Sequence, residues 1–172
     1  MARNVEIKAQ LADREAVRRK AAAIASGPGE LITQTDTFFA VPTGRLKVRE
    51  FSDGSGEMIA YERSDQSGSK ESVYSIVRCA DAQALSTTLA RALPVRGRVV
   101  KRREVFLVGR TRVHLDEVEH LGMFIELEVV LRDDEPADAG EREAHALMET
   151  LGIPITALVP DAYVDLLERA VV

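Results

Sequence analysis

A disulfide framework is the first thing this sequence excludes. Its one cysteine, Cys79, can neither staple a fold nor build a cysteine-based zinc site, and a lone thiol fits a reducing compartment. An excess of basic charge is also missing. Lys and Arg number 23 against 28 Asp and Glu, for a net charge of −5. That balance argues against a general nucleic-acid binder, whose affinity comes from a basic surface, but leaves room for a small basic pocket. No window approaches the roughly 18 apolar residues of a membrane span. The opening residues lack the apolar stretch of a signal peptide. There is no repeat of fixed period and no low-complexity tract. These absences predict a soluble, cytoplasmic protein with no nucleic-acid or membrane partner; they leave monomer and homodimer equally open.

What is present suffices for a core. A chain of 172 residues with 45% hydrophobic content predicts one domain spanning residues 1–172. Asp13 to Ser26 reads as a helix with Asp13 as N-cap and Gly27-Pro28 as its stop. Strand-like segments follow at Leu31–Val41, Arg45–Phe51, Glu57–Ser64 and Glu71–Arg78. Turn residues separate them at Pro42-Thr43-Gly44, Asp53-Gly54-Ser55-Gly56 and Gln66-Ser67-Gly68-Ser69. Asp81–Leu93 is a second amphipathic helix, and Gly97–Gly109, Thr111–Glu119 and Met123–Leu131 are three more strands. An acidic loop, Arg132–Gly140, leads into a helix over Glu141–Gly152, and Asp161–Ala170 forms a last short one. The order is α+β, compatible with a curved or closed antiparallel sheet.

The strands carry their charge on one face. Side chains alternate along a strand, so Asn4, Glu6, Lys8 and Gln10 oppose Val5, Ile7, Ala9 and Leu11. Lys47 and Arg49 share a face, as do Lys101 and Arg103, with Arg102 and Glu104 opposite. Arg112, His114 and Asp116 align, and Glu126 and Glu128 align against Ile125, Leu127 and Val129. A half-exposed antiparallel sheet gives such alternation with a solvated polar face. A barrel whose apolar faces are covered by the helices would instead enclose the charge.

Such a lumen suits a polyphosphate and a metal. Arg and Lys donate charge-assisted hydrogen bonds to phosphate oxygens, Arg with two at once. Glu pairs at i, i+2 offer hard oxygen ligands to Mg²⁺ or Mn²⁺. Neither charge cluster is comfortable alone, since like charges repel. His114 is a candidate phosphate donor or base, with a neutral hydrogen-bonded role equally open. His120 and His145 read as surface residues, Cys79 as a packing residue, and the acidic loop and first helix as solvated.

The same residues resemble the CYTH family, the triphosphate tunnel metalloenzymes that include class IV adenylate cyclases and thiamine triphosphatases. The ExExK strand of that family is matched by Asn4-Val5-Glu6-Ile7-Lys8, with Asn4 in place of the first Glu. Gln34–Phe39 resembles its second strand, "LKVRE" its basic third strand and "VVKRRE" its KxR strand. "RVHLDEVEHLGMFIELE" resembles the pattern LDxVxxLGxFxElE, and "DAYVDLL" the helix that closes many members. Tyr61 stands where many members carry Lys, and Arg63 or Lys70 would supply that charge. The resemblance implies an eight-stranded antiparallel tunnel barrel with helices packed outside. It implies phosphate contacts for Lys8, Lys47, Arg49, Arg63, Lys70, Lys101, Arg103 and Arg112. It also implies metal ligation by Glu6, Glu126 and Glu128 with Asp116 nearby, weakened at one position by Asn4.

The function expected is therefore a Mg²⁺- or Mn²⁺-dependent enzyme hydrolysing an inorganic or organic triphosphate. A class IV adenylate cyclase acting on ATP uses the same parts with a ribose hydroxyl as nucleophile. A non-catalytic phosphate or polyphosphate binder is a third reading, supported by Asn4. Repulsion between Glu126 and Glu128 leads to one further expectation, that neutralising either stabilises the metal-free protein.

Overall fold

A computed structural model of the chain describes residues 2–63 and 70–170. The predicted turn at Gln66–Ser69 lies outside the described residues, as does the side chain of Arg63. Eight strands form one closed antiparallel barrel: β1 (Ala2–Gln10), β2 (Glu30–Phe39), β3 (Arg45–Phe51), β4 (Gly56–Arg63), β5 (Lys70–Cys79), β6 (Val95–Val108), β7 (Thr111–Val118) and β8 (Gly122–Val130). Their order around the wall is β1-β5-β4-β3-β2-β6-β7-β8, with β8 returning to β1. Closure leaves no sheet edge, and it gives every strand an inner and an outer face.

Helices cover part of the outside. α1 (Arg14–Ile24) starts where Asp13 accepts a hydrogen bond from the Ala16 amide at 3.0 Å, and α2 (Ala82–Ala90) where Asp81 does the same for Ala84 at 2.8 Å. α3 (Ala137–Leu151) begins four residues before the predicted start, absorbing the end of the acidic loop, and ends at Gly152 with φ 74°. That left-handed conformation is one glycine adopts without a Cβ penalty. Gly140 sets how closely α3 lies on the barrel, because a Cβ there would come 2.8 Å from Leu131 and 3.0 Å from Val5. The main core lies between sheet and helices: Val5, Ile7, Val113, Leu115, Ile125, Leu127 and Val129 from the outer faces meet Val17, Ala21, Ala144, Met148 and Leu151. A smaller core joins Phe39 and Val48 to Ala82 of α2.

A third cluster is inside. Phe38, Val99, Val118 and Phe124 face inward at one end and pack with Ala162, Tyr163 and Val164 at the start of α4 (Tyr163–Ala170). This apolar stopper closes that end of the tunnel. The segment before it is tied down by Val159 N–H donating to the Lys8 carbonyl at 2.9 Å and by a bridge between Ala9 and Leu158. Among the described residues, no helix is long and apolar enough to cross a membrane.

Candidate functional site

The inner face is the charged face. Asn4, Glu6, Lys8, Lys47, Arg49, Lys101, Arg103, Arg112, His114, Glu126 and Glu128 line a cavity of about 430 Å³ inside the barrel. Arg102, one residue from Arg103, points outward and is 70% exposed beside Glu117. Glu104 also points outward, buried beneath Arg14 and Arg18 of α1. That helix is therefore not simply solvated: two of its arginines pair with the sheet.

Two aspartates organise the cations. Asp36 of β2 accepts from Lys47 Nζ at 2.7 Å and from Arg49 Nε and Nη2 at 2.9 and 3.1 Å, while Gln34 donates to it at 3.1 Å. Register explains the meeting, because Asp36 lies directly opposite Arg49. Asp116 of β7 lies opposite Arg103 and accepts from its Nε and Nη2, from Lys101 Nζ at 3.2 Å and from the Tyr163 hydroxyl at 2.9 Å. Burial pushes both carboxyls up, but the facing cations outweigh it. Arg49 and Lys47 hold Asp36 well below the usual carboxylate range, and Arg103 and Lys101 do so for Asp116. Lys47 ends differently. Burial lowers its ammonium from 10.5 to about 8, because Asp36 only partly offsets desolvation and the repulsion of Arg49 and Lys101.

The glutamates of β8 form a second focus. Glu126 meets Arg103 Nη2 and lies 3.3 Å from Lys8 Nζ, and Glu128 lies 2.9 Å from Arg112 Nη2. Burial raises both carboxyls, and the surrounding groups reverse the shift: the cations Lys101, Lys8 and Arg103 for Glu126, and the His114 ring with the cations Arg112 and Arg103 for Glu128. His114 is buried, and burial together with Arg103 lowers its pKa, favouring the neutral ring. Among the described residues, His114, Glu126 and Glu128 make a group whose ligand atoms all lie within 4.8 Å of one another, a potential metal site.

The remaining expected residues take distinct places. Asp116, fully buried with both oxygens engaged by Arg103, Lys101 and Tyr163, lies outside that three-residue group and acts as a clasp on the cations. Glu6 lines the lumen opposite Glu128 in register and is likewise outside the group. Lys8 donates to the Asp161 carbonyl at 2.9 Å and sits 4.0 Å from the Tyr163 ring centre, and Lys70 donates to the Pro160 carbonyl. These two lysines therefore hold the stopper segment. Tyr61 lines the lumen near Lys47, 5.8 Å from ring centre to Nζ. Arg63 ends β4, and its side chain is not among those described.

Asp36 and Tyr163 escaped the sequence reading as site residues. Asp36 shares the inward parity of Gln34, but its partners could be named only once β2 was known to lie between β3 and β6. Tyr163 enters from a helix, where strand parity says nothing.

A closed antiparallel barrel with opposed cations and carboxylates inside defines a tunnel protein, one whose candidate site is the lumen. The chain belongs to the CYTH domain family, whose profile matches residues 2–163. Among solved structures it is similar to the PH1012 protein of Pyrococcus horikoshii, with 22% identity and a TM-score of 0.84 over 94% of this chain and 98% of that one. It is also similar to a putative adenylate cyclase of Vibrio parahaemolyticus, with 20% identity and a TM-score of 0.78 over 96% and 97% of the two chains. A third is a putative adenylyl cyclase of Hippeastrum described as having a dominant triphosphatase activity, with 16% identity and a TM-score of 0.61 over 88% and 89%. At these identities the likeness establishes the fold. No curated protein matches the chain.

Proposed function

We propose that this protein is a divalent-metal-dependent phosphohydrolase that takes an inorganic or organic triphosphate into the tunnel. The observation that carries the reading is the meeting of two basic pairs, Lys47 with Arg49 and Lys101 with Arg103, in one lumen beside the His114–Glu126–Glu128 group. Charge balance supports it. Among the described residues, the cavity lining and the residues paired with it hold eight cations, Lys8, Lys47, Arg49, Lys70, Arg78, Lys101, Arg103 and Arg112, and seven carboxylates, Glu6, Glu30, Asp36, Glu57, Asp116, Glu126 and Glu128. The surplus is one positive charge. A triphosphate brings about four negative charges near neutral pH, so it calls for added cationic charge there, of the kind a divalent ion supplies.

The residues present fit such an ion. Two carboxylates and one buried imidazole nitrogen without a hydrogen-bond partner converge, and two of these donors are ionised. When bound, the ion supplies charge neutralisation at the transferring phosphoryl group and a more acidic water. The protein supplies position. Asp36 and Asp116 each take two of the five N–H donors of their arginine, so Arg49 and Arg103 are held in place with further donors left for anionic oxygens. The stopper built on Tyr163 excludes water from one end of the lumen.

Cyclisation of ATP is the second reading. The lining beyond the cations includes Ile32, Phe51 and Ile76, an apolar surface able to receive an organic group, and the Vibrio relative is named a putative adenylate cyclase. Product analysis with ATP and Mn²⁺ separates the readings: released phosphate supports hydrolysis, cyclic AMP with pyrophosphate supports cyclisation, and binding without turnover supports a non-catalytic module.

A further inference from the structure

His114 is 4% exposed, and its Nδ1 has no hydrogen-bond partner. A buried polar atom left in this way calls for an explanation, and an ion is one of the few available. The atom lies 3.7 Å from Glu128 Oε1 and 3.8 Å from Glu126 Oε2. Both gaps are too long for hydrogen bonds. Two ligands each about 2.1 Å from a small divalent ion stand at most about 4.2 Å apart, so one ion spans either gap.

The surroundings hold this arrangement. His114 and Glu126 are register partners on β7 and β8, and Glu128 follows on the same face of β8. The other oxygen of Glu128 accepts from Arg112 Nε at 3.0 Å, and that of Glu126 lies 3.3 Å from Lys8. Each carboxylate is thereby oriented with one oxygen toward the imidazole, Glu128 Oε1 and Glu126 Oε2, and the latter also accepts from Arg103 Nη2, a contact it would share with a bound ion.

We propose that His114 Nδ1 is a metal ligand, forming with Glu126 and Glu128 a mixed nitrogen–oxygen site that selects Mn²⁺ over Mg²⁺. The inference rests on the metal-dependent reading above and adds the selectivity of that site. Mg²⁺ takes oxygen ligands and keeps much of its water, so an imidazole adds little to its binding. A first-row transition ion gains from a nitrogen donor, and Mn²⁺ also tolerates the two carboxylates.

The test needs no substrate. Calorimetric titration of the phosphate-free protein with MnCl₂ and with MgCl₂ should give Mn²⁺ an advantage of about tenfold or more. His114→Asn should remove most of that advantage, lowering Mn²⁺ affinity by about tenfold while leaving Mg²⁺ within about threefold. Equal losses for both ions, no loss for Mn²⁺, or no Mn²⁺ binding by the wild type would overturn the proposal. A second measurement uses the wild type alone and so survives a variant that fails to fold. Pulsed electron paramagnetic resonance of the Mn²⁺ complex should show modulation from a directly bound imidazole nitrogen, and its absence overturns the proposal. If the nitrogen signal is present but no triphosphate is turned over, the proposed activity fails and the metal site stands.

Discussion

Arg103 and Asp116 meet fork to fork, Nε on Oδ1 and Nη2 on Oδ2, both at 2.6 Å. The pair is fully buried on the aspartate side, and the same carboxylate also holds Lys101 and the Tyr163 hydroxyl. One acid thus positions two lumen cations and anchors the stopper that closes the tunnel.

Removing that charge is expected to be expensive. Asp116→Asn keeps the volume but leaves Arg103 and Lys101 under-compensated, and breaking a buried pair in this way costs about 3–5 kcal/mol. Denaturant unfolding at neutral pH reads the loss. The folded carboxyl sits below its unfolded value, so its contribution is fully present above that unfolded value and fades as pH falls through the folded one. The gap between wild type and variant should therefore narrow in acid.

Strand parity predicts opposite fates for two adjacent arginines. Arg103→Ala should weaken triphosphate binding by about 1.5–3 kcal/mol, the worth of a charge-assisted contact. Arg102→Ala, on the exposed outer face, should change it by less than about 0.5 kcal/mol. Titration calorimetry with tripolyphosphate compares them. Equal effects would mean that the lumen face does not bind the anion.

Lys47 gives the pH dependence. Its folded value of about 8 lies below the unfolded 10.5, so between those values the unfolded chain binds more protons and stability rises with pH. The cost of burying a charged ammonium is present in full below about 8 and is relieved above it. A bound triphosphate favours the charged form, so binding at about pH 9 should take up close to one proton. Calorimetry in two buffers of different ionisation enthalpy measures that uptake, and Lys47→Met should abolish it.

The structure reverses one expected sign. Repulsion between Glu126 and Glu128 led to the expectation that neutralising either would stabilise the metal-free protein. Instead, attraction to Lys101, Lys8 and Arg103 favours the ionised form of Glu126, and Arg112 and Arg103 beside the His114 ring do so for Glu128. Glu126→Gln should therefore lower the metal-free melting temperature, while also removing metal binding. A raised melting temperature would show that repulsion dominates after all.

Much of the barrel was legible because polar and apolar residues alternate so regularly along β1, β3, β7 and β8. Parity placed Lys101 and Arg103 on one face and Arg102 on the other before any strand was paired. Closure was not legible in the same way, since alternation is equal for an open sheet and a barrel; it came from the resemblance. What the sequence hid depends on pairing order. Asp36 gains meaning only opposite Arg49, and Tyr163 only where α4 enters the tunnel. His114 could be placed on the charged face, yet its unpartnered Nδ1 between two glutamates is a matter of distances.

The central claim is that this lumen turns over a triphosphate with the help of a divalent ion. Purified protein incubated with tripolyphosphate, thiamine triphosphate and ATP, each with Mn²⁺, with Mg²⁺ and with chelator, tests it most directly through released phosphate. The account predicts phosphate release from at least one substrate, dependent on the metal and lost in Glu126→Gln. Tight binding with no release under any condition, or cyclic AMP from ATP as the sole product, would contradict it.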